Sequence, residues 1–229
     1  MSTLLNWSHP MSNAKVLPAA VLASACLLLA NLCHAGRPLA VDDANVNDAG
    51  AGHVEVFYQR LAGPVHTTTV SPAYGVREGL EIAGLFNRDN TSDTNTSAIQ
   101  AKVRLTAPQT QGCNLAASFG LSQPNVPGAG FSKFANGLAT CNRMGVGSLH
   151  VNLGLINLPT GINTGVWGLA FEREFGPATG HIEVLGAENQ LPTLQLGVRT
   201  LLTRSVQLDA TLGSQQGETL YSFGLKFLF

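Results

Sequence analysis

Beyond residue 32 this chain of 229 residues has no apolar run approaching the roughly 18 that a membrane-crossing helix needs. If the mature protein enters a membrane it does so with strands, the other backbone arrangement that satisfies its own hydrogen bonds in lipid. Charge is scarce as well. Asp, Glu, Lys and Arg make up 12% of the residues and the net charge is −1, which leaves no electrostatic case for nucleic acid as a partner. Aromatic residues are 7%, lean for a barrel expected to wear two aromatic girdles. No glycine-rich phosphate loop, HExxH helix or CxxC pair occurs, so nucleotide chemistry, zinc proteolysis and thiol redox work lack their usual motifs. No cofactor and no metal are expected. Of the cysteines, Cys26 and Cys33 lie in or beside the N-terminal apolar run. Cys113 and Cys141 remain, without histidines at ligand spacing; they are candidates for a disulfide, with a reduced pair as the alternative.

What is present begins with an export signal. Residues 16–32, VLPAAVLASACLLLANL, follow Lys15 and precede Cys33, His34, Ala35 and Gly36. A charged start, a short apolar stretch and small residues at 33 and 35 point to a signal peptide, residues 1–35, cleaved after Ala35. A retained anchor is the alternative, and Pro18 and the cleavage-like ending disfavour it; Leu32 disfavours lipidation at Cys33. The polar residues before Lys15 leave either Met1 or Met11 as initiator.

From Gly52 onward apolar and polar residues alternate in segments separated by Gly, Pro, Asn, Asp and Ser, the period of half-buried antiparallel strands. The segments are 52–60, 65–76, 79–88, 98–106, 113–121, 131–139, 149–157, 166–175, 181–189, 194–203, 205–213 and 219–229. Twelve is an even number, as a single-chain barrel with both termini in the periplasm requires; without 131–139, the weakest segment, parity favours ten. With the first strand rising, residues 89–97, 122–130, 158–165 and 214–218 form outside loops, and 77–79 and 204 form inside turns. Residues 140–148 make an awkwardly long inner turn.

The final strand carries the most information. Tyr221, Phe223, Leu225, Phe227 and Phe229 share one face, and the chain stops at phenylalanine. A greasy terminal strand is an edge hazard in a soluble sheet, but in a closed barrel it pairs with the first strand. The ending resembles the C-terminal assembly signal of bacterial outer-membrane barrels. That implies outer-membrane lipid and the barrel-assembly machinery as partners, with the oligomeric state left open. The fold expected is therefore an all-β transmembrane antiparallel up-and-down barrel over residues 52–229 in the outer membrane of a Gram-negative bacterium. A soluble periplasmic β-sandwich would show the same alternation turned inside out.

The mature N-terminus contains Arg37-Pro38-Leu39, Asp42-Asp43-Ala44, and Gly52 followed by Glu55. With the later stretches LHVNLGL (149–155), WGLAFE (167–172) and LGVRTLL (196–202), this resembles the MetA-pathway of phenol degradation family of outer-membrane proteins. The resemblance implies a barrel linked to passage of small, often aromatic, molecules. Residues 36–51 are too rich in Asp, Asn and Gly for a strand. They form either a free periplasmic tail or a luminal plug, in which Arg37, Asp42 and Asp43 bind charged wall residues.

By strand parity the lumen-lining candidates are Glu55, Glu81, Lys102, Arg104, His150, Asn152, Glu172, Glu174, His181, Glu183, Arg199, Asp209 and Lys226. Their mixed sign suits a salt-bridged interior in a narrow barrel and a selective water path in a wide one. Ser148, His150 and Asn152 raise a lipid hydrolase as a further alternative. Same-face neighbours on one strand stand about 6.6 Å apart, whereas a nucleophile and its base need about 3 Å. The expectation is a non-enzymatic protein, a narrow channel for small molecules or a structural barrel.

Overall fold

Alternating side chains with no helix-period segment leave the chain one way to bury its backbone, and it takes it. The computed structural model describes residues 39–229. The signal-peptide reading of 1–35, its alternatives and Arg37 lie outside the described residues. The strands are β1 (Gly52–Arg60), β2 (His66–Arg77), β3 (Leu80–Asp89), β4 (Thr94–Arg104), β5 (Gly112–Pro124) and β6 (Ser132–Arg143). They continue as β7 (Gly147–Asn157), β8 (Asn163–Phe175), β9 (Ala178–Ala187), β10 (Thr193–Leu201), β11 (Val206–Gln215) and β12 (Glu218–Leu228). Each pairs antiparallel with its neighbours in sequence, and β12 pairs with β1 to close a twelve-stranded barrel.

Closure is continuous to the last residue. Val54 stands opposite Phe227 and Glu55 opposite Lys226, and Gly52 and Phe229 exchange both main-chain hydrogen bonds, at 2.8 and 3.0 Å. The C-terminal carboxylate therefore ends a paired strand and leaves no edge. Hairpin chemistry fits the short turns. Gln216 and Gly217 both have positive φ, 54° and 82°, the backbone of a two-residue type I′ turn that matches strand twist.

The two faces of this wall separate cleanly. Ile99, Leu153, Leu155, Leu196, Phe223 and Phe227 are exposed on the outside, while Glu55, Thr69, Ser71, Ser118, Thr140 and His150 are buried inside. An apolar exterior around a polar interior is the reverse of a soluble sandwich, which turns its greasy faces inward.

Several connections are shorter than the sequence expectation, among them 158–165, which shrinks to 158–162, and 214–218, which shrinks to 216–217; two differ most. Residues 140–148 are not a long inner turn: β6 runs on to Arg143 and β7 begins at Gly147. The outside loop expected over 89–97 shrinks to residues 90–93, because Thr94 already belongs to β4. In both places the strand continues into residues that read as a turn. Either face of a strand can then be polar, so the alternation fades while the ladder continues.

Cys113 and Cys141 face each other across β5 and β6 on the outer wall, near the rim where β1 begins and β12 ends, with sulfurs 2.05 Å apart in a disulfide.

Candidate functional site

Residues 39–51 form no strand, and they do not hang free. They cross the lumen as a strap, bound through their main chain by side chains of the wall. Glu183 on β9 accepts hydrogen bonds from the Ala40 and Val41 amides at 2.9 and 2.7 Å. Asn152 on β7 accepts from the Asp42 N–H at 2.6 Å and donates to the Asp42 carbonyl at 2.7 Å. Thr140 on β6 accepts from the Ala44 N–H at 2.8 Å, and Glu81 on β3 accepts from the Asn47 N–H at 2.9 Å. The main-chain N–H groups of Ala40, Val41, Asp42, Ala44 and Asn47, which a buried irregular segment could leave unsatisfied, are thus met by the wall.

Lys102 on β4 anchors the middle of the strap. Its ammonium donates to Asp42 Oδ1 at 2.7 Å and to the Asp43 and Asn45 carbonyls at 3.3 and 3.2 Å. The Asp42 side chain has no exposed surface and Lys102 only 3%, so this ion pair is dry. Lys102 has two main-chain carbonyls beyond the pair, whereas Asp42 Oδ2 is buried without a hydrogen-bond partner, so the carboxylate depends on this one cation. Of the two aspartates, Asp42 meets the wall; Asp43 accepts from the Asn45 N–H within the strap, at 2.7 Å.

Apolar contacts complete the seat. Leu39 and Val41 lie against Ala170 and Leu185, and Ala44 against Ala116 and Leu138. Two glycines leave room for it. A Cβ on Gly168 would lie 2.7 Å from Val41 Cγ2, and one on Gly75 would lie 2.1 Å from the Asp48 carbonyl oxygen. Any larger residue there would collide with the strap.

Most of the remaining luminal candidates fall into three groups. Glu55 meets Lys226 at 3.2 Å and His53 at 3.6 Å. Glu183 meets His181 at 3.3 Å and Gln195 at 2.8 Å, in addition to the strap. Arg199 holds Glu172 through both guanidinium nitrogens, at 2.9 and 3.0 Å, and His150 stands 3.7 Å from the same carboxylate. Asp209 is buried in the wall. Arg104 pairs with Glu78 at the periplasmic rim. Glu174 and Arg199 line a cleft of roughly 500 Å³ at that mouth, together with Arg143, Ser148 and Glu172. Towards the outer end Leu85, Phe134, Ile156 and Leu158 form an apolar cluster inside the lumen.

The residues that raised a hydrolase do not assemble. Ser148 donates to Asn142 at 2.8 Å, the His150 Nδ1 lies 2.9 Å from Thr140 Oγ1, and Asn152 is engaged with the strap. Among the described residues no three His, Cys, Asp or Glu side chains cluster as metal ligands. Sequence reasoning missed Thr140, Asn47, Gly168 and Gly75 as parts of the site. The two glycines, small inward-facing positions in polar strands, were the available signal.

Residues 24–219 match the model of the family described as Uncharacterised conserved protein UCP029691. The chain belongs to that family. No curated protein matches this UCP029691 member in sequence. Solved structures do match in shape. The KdgM porin is 11% identical with a TM-score of 0.62, covering 77% of this chain and 99% of the porin. The NanC porin is 10% identical at 0.58, covering 77% and 98%. The COG4313 outer membrane channel from Pseudomonas putida F1 is 12% identical at 0.54, covering 82% and 98%. At such identities the likeness is one of fold. That fold is the outer-membrane β-barrel of porins and channels.

Proposed function

We propose that the protein is a narrow outer-membrane channel for small solutes that rests closed, with the strap 39–51 as its stopper. The observation that carries this reading is how the strap is held. Wall carboxylates, amides and a hydroxyl grip it by hydrogen bonds across a polar lumen, an attachment that can be exchanged for water or solute without unfolding the wall. In this reading residues 1–35 are removed on export, and the strand ending at Phe229 is what the barrel-assembly machinery recognises. The resemblance of Arg37-Pro38-Leu39 and Asp42-Asp43-Ala44 to the MetA-pathway of phenol degradation family extends the solutes to small aromatic molecules.

A second reading is a purely structural barrel, favoured by one feature: the apolar cluster of Leu85, Phe134, Ile156 and Leu158 fills part of the lumen above the strap. Planar-bilayer recording separates the two. Deleting residues 39–46, which keeps the Gly50 and Ala51 main-chain bonds to β2, raises single-channel conductance several-fold over the full chain if the strap is the stopper. A deletion variant that stays folded by heat-modifiable gel mobility yet passes no current leaves the structural barrel.

A further inference from the structure

We propose that the lumen is a binding track for a peptide main chain, that the strap is its tethered occupant, and that the ligands able to replace it are short peptides. The inference rests on the reading that the strap is a detachable stopper and adds the class of molecule that takes its place.

What the wall reads is chiefly main chain. Glu183, Asn152, Thr140 and Glu81 accept from consecutive or near-consecutive main-chain N–H groups, and Asn152 and Lys102 donate to main-chain carbonyls. These contacts would be the same for almost any residue at those positions. A segment retained only as filler would be fixed by side-chain packing, with its amides turned to water. Here the acceptors follow a main chain that bends at Ala40, Val41 and Ala44 as it crosses the barrel, the way recognition modes that read main chain obtain affinity without sequence.

Selectivity sits at a few points. Gly168 leaves a recess for a β-branched side chain at the position of Val41, and Lys102 selects an acid immediately after it. With the strap gone, Glu183, Glu81 and Lys102 face the lumen without these partners. Water then competes for them, and Glu183 keeps His181 and Gln195, so the vacant track favours a ligand that returns both N–H donors and a carboxylate at once. Inorganic ions and hydrocarbon-like solutes return one of these or neither; an acidic peptide returns both. The exit point agrees, because the strap leaves the track at the periplasmic rim, where Gly50 and Ala51 pair with Gly75. A ligand can therefore compete with it while its lower end stays anchored.

The test uses the barrel lacking residues 39–46 and a labelled peptide of the strap sequence, LAVDDANVND, followed by fluorescence anisotropy in detergent and by block of current in bilayers. Saturable binding is expected. It should weaken at least about tenfold when the Ala40, Val41 and Ala44 nitrogens of the peptide are methylated, since each lost hydrogen bond in a dry site is worth roughly that factor. A peptide of scrambled order that keeps an apolar residue before an acid should bind within a few-fold. Binding insensitive to methylation, or conduction in the deleted barrel with no peptide binding, overturns the inference. Binding without any conduction upholds it and overturns the channel reading instead. If the deletion does not insert, Asp42→Lys in the full chain, which sets a second cation against Lys102 and drives the strap off while leaving the wall intact, provides the vacant track for the same measurements.

Discussion

Along β10, Leu194, Leu196 and Val198 lie 53, 58 and 46% exposed on the outer face, while Gln195 between them is 4% exposed and donates to Glu183. The same nine-residue strand thus meets two environments with different demands. Outside, lipid asks only for apolar area, and Leu, Val, Ile or Phe serve equally because dispersion and transfer energies are not directional. Inside, a side chain must offer the atom its neighbour lacks, since an unmet polar group there costs more than a met one returns. Identity is therefore loose on the outer face and tight on the inner one, and substitution should break the two faces by different mechanisms.

The largest effect is expected at the inner anchor. Lys102→Ala leaves Asp42, which has no exposed side-chain surface, without its cation, and should cost about 3–5 kcal/mol. Urea unfolding in detergent micelles measures the loss, and the double variant with Asp42→Asn should recover much of it. A loss below about 1 kcal/mol, the range of exposed pairs, would mean that the strap is not energetically joined to the wall.

That anchor also shows what could and could not be read from the chain alone. The strands, their inward and outward faces, and the pairing of β12 with β1 were legible because period two is set by the pleat and every segment had to satisfy lipid on one side. The ends of β4, β6 and β7 were not, because Thr94 to Ser97, Thr140 to Arg143 and Gly147 to Ser148 look like turn residues. The strap was half legible. Its composition excluded a strand, but nothing local relates Asp42 to Lys102, sixty residues on, or Val41 to Gly168. Contacts across a lumen have no periodicity; they are fixed by barrel radius and by where the segment enters.

The outer face should fail at a charge and tolerate shape. Leu153 lies mid-strand in β7, 66% exposed, opposite Gly137 and Trp167. Leu153→Arg should cost roughly 2–4 kcal/mol in lipid vesicles, as for charges near the bilayer midplane, with conductance unchanged once folded. Leu153→Ile should be close to neutral, since only apolar area is asked for there. Equal effects of the two substitutions would show that this face is covered by protein and not by lipid.

The smallest effect should fall where neither rule applies, at the outer loops. Arg88 pairs with Asp93 beyond the end of the lipid layer, with both side chains more than half exposed. Water competes for each charge and salt screens the pair, so Arg88→Ala should change stability by no more than about 0.5 kcal/mol. Arg199, joined to Glu172 by one hydrogen bond and a second close charge contact and one-quarter exposed, offers the contrast: the same truncation should cost more and lose less of its effect on raising salt. Measuring both in low and high salt tests whether the contrast between the faces is one of burial, as argued, or simply of position inside the barrel. If burial decides, Arg88 follows salt and Arg199 resists it; if position alone decides, the two salt dependences coincide.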